Sequence, residues 1–122
     1  MRPLAGRRIL IAEDEILIAL QLEAILQELG CQIVGPVTRV DEVRACLEAQ
    51  SFDGALVDVN LRGEQIFGVL PALIELGVPV VIASGYADTT LFPPQFRAVP
   101  RIAKPFDEAA LQRLCLAMFA KG

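Results

Sequence analysis

The 122-residue sequence contains no histidine, no tryptophan and a single tyrosine, Tyr86. The missing histidine removes Ser-His-Asp and Cys-His catalysis, histidine-ligated metals, and any phosphohistidine carried by the chain itself. Cysteine is scarce. Cys31, Cys46 and Cys115 are scattered, form no CxxC pair, and read as small core hydrophobes rather than a redox or zinc centre. A basic surplus is lacking too. The net charge of −4 argues against nucleic-acid binding. No apolar run approaches the ~20 residues needed to span a bilayer. The basic stretch Met1 to Arg8 leads into an apolar run that stops at Glu13, which does not read as a signal peptide. The expected location is the cytoplasm, with no membrane contact. Whatever chemistry the chain performs must use carboxylates, hydroxyls, lysine, arginine or backbone.

What is present is enough for one core. Apolar residues make up 54% of the chain and charged residues 21%, so residues 1–122 read as one domain, core about 7–120, with no room for a folded output domain. Short apolar runs alternate with helical patterns. Arg8 to Ala12 reads as a first strand, and Ile16 to Leu29 as a helix on Ile18, Leu22, Ile25 and Leu29, stopped by Gly30. Cys31 to Val37 is a second strand. Thr38 opens a short helix carrying Val40, Val43 and Leu47, with Asp41 as the acid of a capping box. Ala55 to Val59 is a third strand, Asn60 to Glu64 a loop, and Gln65 to Leu76 a helix that Pro71 bends or delays. Pro79 to Ala83 is a fourth strand and Arg101 to Ala103 a fifth. Between them Pro93-Pro94 forbids a long regular helix. Asp107 to Ala120 closes the chain as a helix with Leu111, Leu114 and Met118 facing inward.

The order is βα repeated five times. Strands that are apolar throughout imply a parallel sheet covered on both faces, and right-handed crossovers make it an open, doubly wound α/β sheet. In the flavodoxin-like strand order 2-1-3-4-5, with an irregular or shortened fourth helix, function gathers at the carboxyl ends of the strands. There the sequence places Glu13 and Asp14 after the first strand, Asp58 at the end of the third with Asn60 behind it, Ser84 and Gly85 after the fourth, and Lys104 after the fifth. Converging carboxylates repel unless a cation compensates. An all-oxygen site of this kind suits Mg²⁺, with Mn²⁺ or Ca²⁺ as substitutes. Asp14 and Asp58 can ligate directly, the Asn60 carbonyl can add an oxygen, and Glu13 can act through water. Metal, Lys104 and the Ser84 hydroxyl then point at one place, suited to a phosphoryl group with a carboxylate as its nucleophile. The chain has two lysines, and the other, Lys121, stands next to the C-terminus.

The runs Ile9 to Glu15 (ILIAEDE), Ala55 to Leu61 (ALVDVNL), Ser84-Gly85 and Lys104-Pro105-Phe106 together resemble the signature of response-regulator receiver domains of two-component signalling. The resemblance implies that Asp58 is the phospho-acceptor, that Glu13, Asp14, Asp58 and the Asn60 carbonyl organise Mg²⁺, that Ser84 is the switch hydroxyl and Lys104 the lysine that pairs with acceptor and then phosphate. It also implies a cis bond before Pro105. It departs at Arg101, where receivers typically carry an aromatic. Val81 to Tyr86 (VIASGY) is similar to the motif of an atypical subgroup named FATGUY, whose members are often stand-alone and have an irregular fourth helix. Gly85, Tyr86 and Arg101 are the candidates for a loop or lid beside the site.

The function these features imply is a single-domain response regulator, a switch rather than an enzyme. A sensor histidine kinase or phosphotransfer protein phosphorylates Asp58, and the signal leaves by contact with a downstream protein target. The sequence names neither kinase nor target, and sets no oligomeric state. Two other readings stand beside it. One is a Mg²⁺-dependent phosphohydrolase with Asp58 as nucleophile, disfavoured by Asn60 where such enzymes carry an acid. The other is a pseudo-receiver that is never phosphorylated, disfavoured by the intact set Glu13, Asp14, Asp58, Ser84 and Lys104.

Overall fold

A computed structural model describes residues 2–49, 52–85 and 92–120. In chain order the elements are β1 (Arg8–Ala12), α1 (Ile16–Glu28), β2 (Gln32–Val37), α2 (Val40–Ala49), β3 (Gly54–Asp58), β4 (Asn60–Leu61), β5 (Glu64–Gln65), a 3₁₀ turn (Ile66–Gly68), α3 (Leu70–Glu75), β6 (Val80–Ser84), a second 3₁₀ turn (Pro94–Phe96), β7 (Arg101–Ala103) and α4 (Glu108–Phe119). The five long strands form one parallel sheet in the order β2-β1-β3-β6-β7. Counted among themselves, this is the expected order 2-1-3-4-5. No helix among the described residues is long and apolar enough to cross a membrane.

Alternation along the strands splits the core in two, because successive side chains leave a strand on opposite faces. Leu10, Ala12, Ala55, Val57 and Ile82 join Val43, Leu70 and Leu73 from α2 and α3 on one face. Ile9, Ile11, Leu56 and Val81 join Leu22, Ile25 and Leu26 of α1 and Leu111, Cys115 and Phe119 of α4 on the other. Leu114 and Met118 flank this α4 stripe as partly buried residues. Leu4 is buried in the same cluster, so the core begins before residue 7. Cys31 and Cys115 are buried there, and burial pushes their thiols up to about 11 and about 12, so they act as packing. Cys46 is half-buried against the opposite cluster.

Several local expectations change. The capping acid of α2 is Glu42, not Asp41. Its Oε1 accepts from the Thr38 and Arg39 N–H groups at 2.9 and 3.1 Å, because the helix starts one residue later, at Val40. The expected loop Asn60 to Glu64 is a two-residue β-hairpin, and the expected helix Gln65 to Leu76 is a 3₁₀ turn followed by the short α3. Pro71 lies in the first turn of α3, where its missing N–H breaks no intrahelical bond, so it delays that helix rather than bending it. Between β6 and β7 the regular structure among the described residues is the 3₁₀ turn at Pro94–Phe96.

One irregularity positions the site. The β1–β2 register slips between Leu10 and Ala12, around Gly35 at φ 96° and a cis Gly35–Pro36 bond. A Cβ at Gly35 would stand 2.7 Å from the Val37 nitrogen and 3.0 Å from the Ile11 carbonyl oxygen, so no side chain fits. The slip lets the Val37 carbonyl accept the Glu13 N–H at 2.9 Å, tying the first acid to the sheet edge.

Candidate functional site

The carboxyl ends of β1, β3, β6 and β7 meet at one open cleft of about 270 Å³, lined by Asp14, Glu15, Asp58, Asn60, Gly63, Gly85 and Lys104. Glu13 lies behind it. Its side chain is wholly buried, as is almost all of Asp58. Lys104 follows β7 and reaches between them. Its Nζ stands 2.8 Å from Glu13 Oε1 and 2.8 Å from Asp58 Oδ2, and it donates a hydrogen bond to Asp58. The contact with Glu13 is an ion pair without hydrogen-bond geometry, which leaves the buried Oε1 with no directed donor. Glu13 Oε2 accepts the Glu15 N–H at 3.1 Å.

These contacts set the protonation states. Burial is the largest influence on Glu13 and, with the Asp58 charge, pushes its carboxyl up to about 7 against the opposing pull of Lys104 and the Glu15 N–H. Burial draws the Lys104 ammonium down. Its hydrogen bond to Asp58 and its close contacts with the Asp58 and Glu13 charges outweigh that and hold it above its ordinary value.

Glu13, Asp14 and Asp58 each offer an oxygen, and these oxygens lie within 4.8 Å of one another. Among the described residues the side-chain cation paired with them is Lys104. Three carboxylates against one ammonium leave negative charge in excess, and one buried carboxylate oxygen lacks a donor. This donor set is all oxygen and faces the cleft through Asp14 and Asp58, which fits a hard divalent cation.

The structure therefore brings Glu13, Asp14, Asp58, Asn60, Gly85 and Lys104 together. Ser84 is buried at the end of β6 and does not line the cleft. Its carbonyl accepts the Lys104 N–H at 2.8 Å, so hydroxyl-bearing and ammonium-bearing residues are backbone neighbours. The Lys104–Pro105 peptide bond is cis. Arg101 is not at the cleft. It is exposed at the start of β7, with its guanidinium carbon 4.5 Å from the centroid of the Phe92 ring, where the charge needs no burial. Phe92 in turn packs edge-on against Phe67. Tyr86 lies outside the described residues.

Two participants escaped the sequence reading. Asp14 Oδ2 accepts the Arg62 N–H at 3.0 Å, and Asn60 Oδ1 accepts the Gly63 N–H at 3.0 Å. Both donors sit in the hairpin turn. The available signal was Gly63 in the middle of a short polar stretch. It was weak because Arg62 stands where such turns favour Asn or Asp.

Beside the cleft runs a groove lined by apolar Ile16, Ala19, Leu20 and Pro36 together with Glu13, Asp14 and Arg62. Ile16, Leu17 and Leu20 are exposed on the first turns of α1, at 73%, 79% and 53%. The described residues leave these large apolar side chains largely uncovered.

Residues 9–115 match the family model of the response regulator receiver domain. The chain is similar to the phyllosphere-induced regulator PhyR of Methylorubrum extorquens, at 34% identity over 104 residues. That match covers 83% of this chain and 39% of PhyR, so the chain spans well under half of that relative. Among solved structures it is similar to SdrG from Sphingomonas melonis Fr1, with a TM-score of 0.77, 38% identity, and coverage of 96% of this chain and 99% of that one. It is also similar to the response regulator PhyR from Brucella abortus, with a TM-score of 0.76, 25% identity, and coverage of 94% and 48%.

Proposed function

Because this chain belongs to the response regulator receiver domain family, we propose that it is a phosphorylation-controlled switch whose Asp58 accepts a phosphoryl group from a histidine kinase or phosphotransfer protein. The observation that carries this reading is Lys104 held 2.8 Å from both Glu13 and Asp58 within a cluster of three facing carboxylates. A lone structural acid needs no such company. The chain has no histidine, so the phosphohistidine belongs to the donor.

In the transfer, an Asp58 carboxylate oxygen attacks phosphorus in line through the open cleft. The P–N bond to the donor imidazole breaks, its electron pair returns to the ring nitrogen, and an acyl phosphate forms on Asp58. Asp14, Asp58 and the Asn60 carbonyl would hold Mg²⁺, with Glu13 behind them. When bound, Mg²⁺ supplies positive charge against the phosphoryl oxygens. Lys104 exchanges its carboxylate contact for one to the phosphoryl oxygens. Ser84, whose carbonyl accepts the Lys104 N–H, turns its hydroxyl toward the same group. The change is then read on the β6–β7 edge and α4, with Arg101 outside rather than as a buried aromatic. Ile16 and Leu20 share a groove with Glu13 and Asp14, and the exposed Leu17 adjoins them on α1, which suits this face to seat the phosphodonor. On this reading the chain signals by protein contact in the cytoplasm.

Intact-mass analysis after incubation with acetyl phosphate and Mg²⁺ tests the reading. One phosphoryl adduct is expected, lost in Asp58→Asn and lost with a chelator. An adduct that survives in Asp58→Asn would sink the assignment.

A further inference from the structure

The hairpin that follows Asp58 is unusual in one respect. Its two turn residues, Arg62 at φ 52° and Gly63 at φ 86°, both lie in the left-handed region, the pattern of a type I′ turn. Arg62 is the one non-glycine residue with positive φ among the described residues. An arginine side chain gains nothing from that conformation, and strain of this sort persists only where surrounding contacts impose it.

The contacts are specific. At its base the hairpin is locked into the core, because Leu61 and Ile66 are buried and the Ile66 N–H donates to the Val59 carbonyl at 2.7 Å. At its tip the Arg62 N–H donates to Asp14 Oδ2 at 3.0 Å, 48 positions away in sequence. The neighbouring Gly63 N–H donates to Asn60 Oδ1 at 3.0 Å and keeps the turn closed. Asp14 itself sits in the loop after β1, only partly buried. Without a donor its carboxylate is repelled by Glu13 and Asp58 and has every reason to swing outward.

We infer that the β4–β5 hairpin is a positioning element for the acidic centre: its left-handed turn aims the Arg62 N–H at Asp14 and so holds that carboxylate toward Glu13 and Asp58. Arg62 and Gly63 touch no phosphoryl group. They act through Asp14, as outer partners of metal-binding carboxylates do. The inference rests on reading the cluster as a divalent-cation centre, and its test separates the two.

The test uses Gly63→Ala. A Cβ there meets nothing within 4 Å, so the substitution adds backbone strain at φ 86° and no internal clash. With the base anchored, the change falls on the tip. Mn²⁺ affinity of the full chain, read by calorimetry or by the electron-spin signal of free Mn²⁺, is expected to weaken roughly ten-fold in Gly63→Ala. Gly63→Asn, larger but tolerant of the left-handed region, should restore it. Gly77→Ala places the same strain, at φ 85° with nothing within 4 Å, at the far end of α3 and should leave Mn²⁺ binding unchanged. Hydrogen exchange without metal supplies an independent arm. The Arg62 amide should lose its protection in Asp14→Ala. Wild-type affinity in Gly63→Ala, equal weakening in Gly77→Ala, failure of Gly63→Asn to restore binding, or an Arg62 amide indifferent to Asp14→Ala would each overturn the inference alone. Absence of Mn²⁺ binding by the wild-type chain would overturn the cation reading and the inference with it.

Discussion

Within the site, Glu13 is the acid whose environment is furthest from water. Its neighbour Asp14 is half open, while Glu13 is sealed behind Lys104, and burial with the Asp58 charge pushes it up to about 7. The ordinary value, 4.5, applies when the chain unfolds. Between those two values the folded chain holds a proton that the unfolded chain has released. Stability from this group is therefore complete below about 4.5 and is lost as pH rises through about 7. In the absence of divalent cations, urea unfolding of the wild type should show a fall on the order of 2 kcal/mol between about pH 5 and about pH 7.5. Glu13→Gln should flatten that slope. A slope unchanged in Glu13→Gln would place the titration elsewhere.

At the scale of elements, the sheet demands as much of small residues as of large ones. Gly54 opens β3, and a Cβ there would lie 2.7 and 2.8 Å from the Phe119 ring at the end of α4 and 3.0 Å from Ile9 Cδ1. Both Phe119 and Ile9 are fully enclosed, so neither can step aside freely. Gly54→Ala should cost about 1–3 kcal/mol in urea unfolding, as overpacked core sites do. Adding Phe119→Leu should recover part of the loss, because the two changes share one contact. The α1 helix presents the opposite case, an apolar surface left open. Leu17→Asp should leave labelling by acetyl phosphate intact, since the small donor needs no docking face. Transfer from a phosphohistidine-bearing protein should slow at least ten-fold, about 1.4 kcal/mol of lost binding, as followed by radiolabel transfer. Equal slowing with both donors would return Leu17 to a structural role.

The whole molecule carries its negative charge unevenly. Three carboxylates and one ammonium converge at one end of the sheet, and the fold holds them there against their repulsion. A cation that binds only this assembled site stabilises the folded chain by mass action. Mg²⁺ at a hundredfold excess over its Kd should add about 2.7 kcal/mol, visible as a higher Tm than in chelator. Asp14→Asn and Asp58→Asn should lose most of this gain. An equal gain in those variants would mean that the ion binds elsewhere.

The sequence by itself determined the fold class, the strand order and which acids and lysine stand at the strand ends. These rest on short-range patterns: apolar runs of strand length, and Glu13, Asp14, Asp58, Ser84 and Lys104 standing where runs end. It also determined, through the absent histidine, that any phosphohistidine lies outside these 122 residues. Only the tertiary structure decided how the site is held. The register slip at Gly35 that ties Glu13 to Val37, the Arg62 N–H on Asp14, the burial that raises Glu13, and the seating of Arg101 on Phe92 all join distant parts of the chain. Hydrogen-bond partners and desolvation depend on what lies across space rather than along the chain. A window on Arg62 sees a polar loop, while its partner, Asp14, lies 48 residues away.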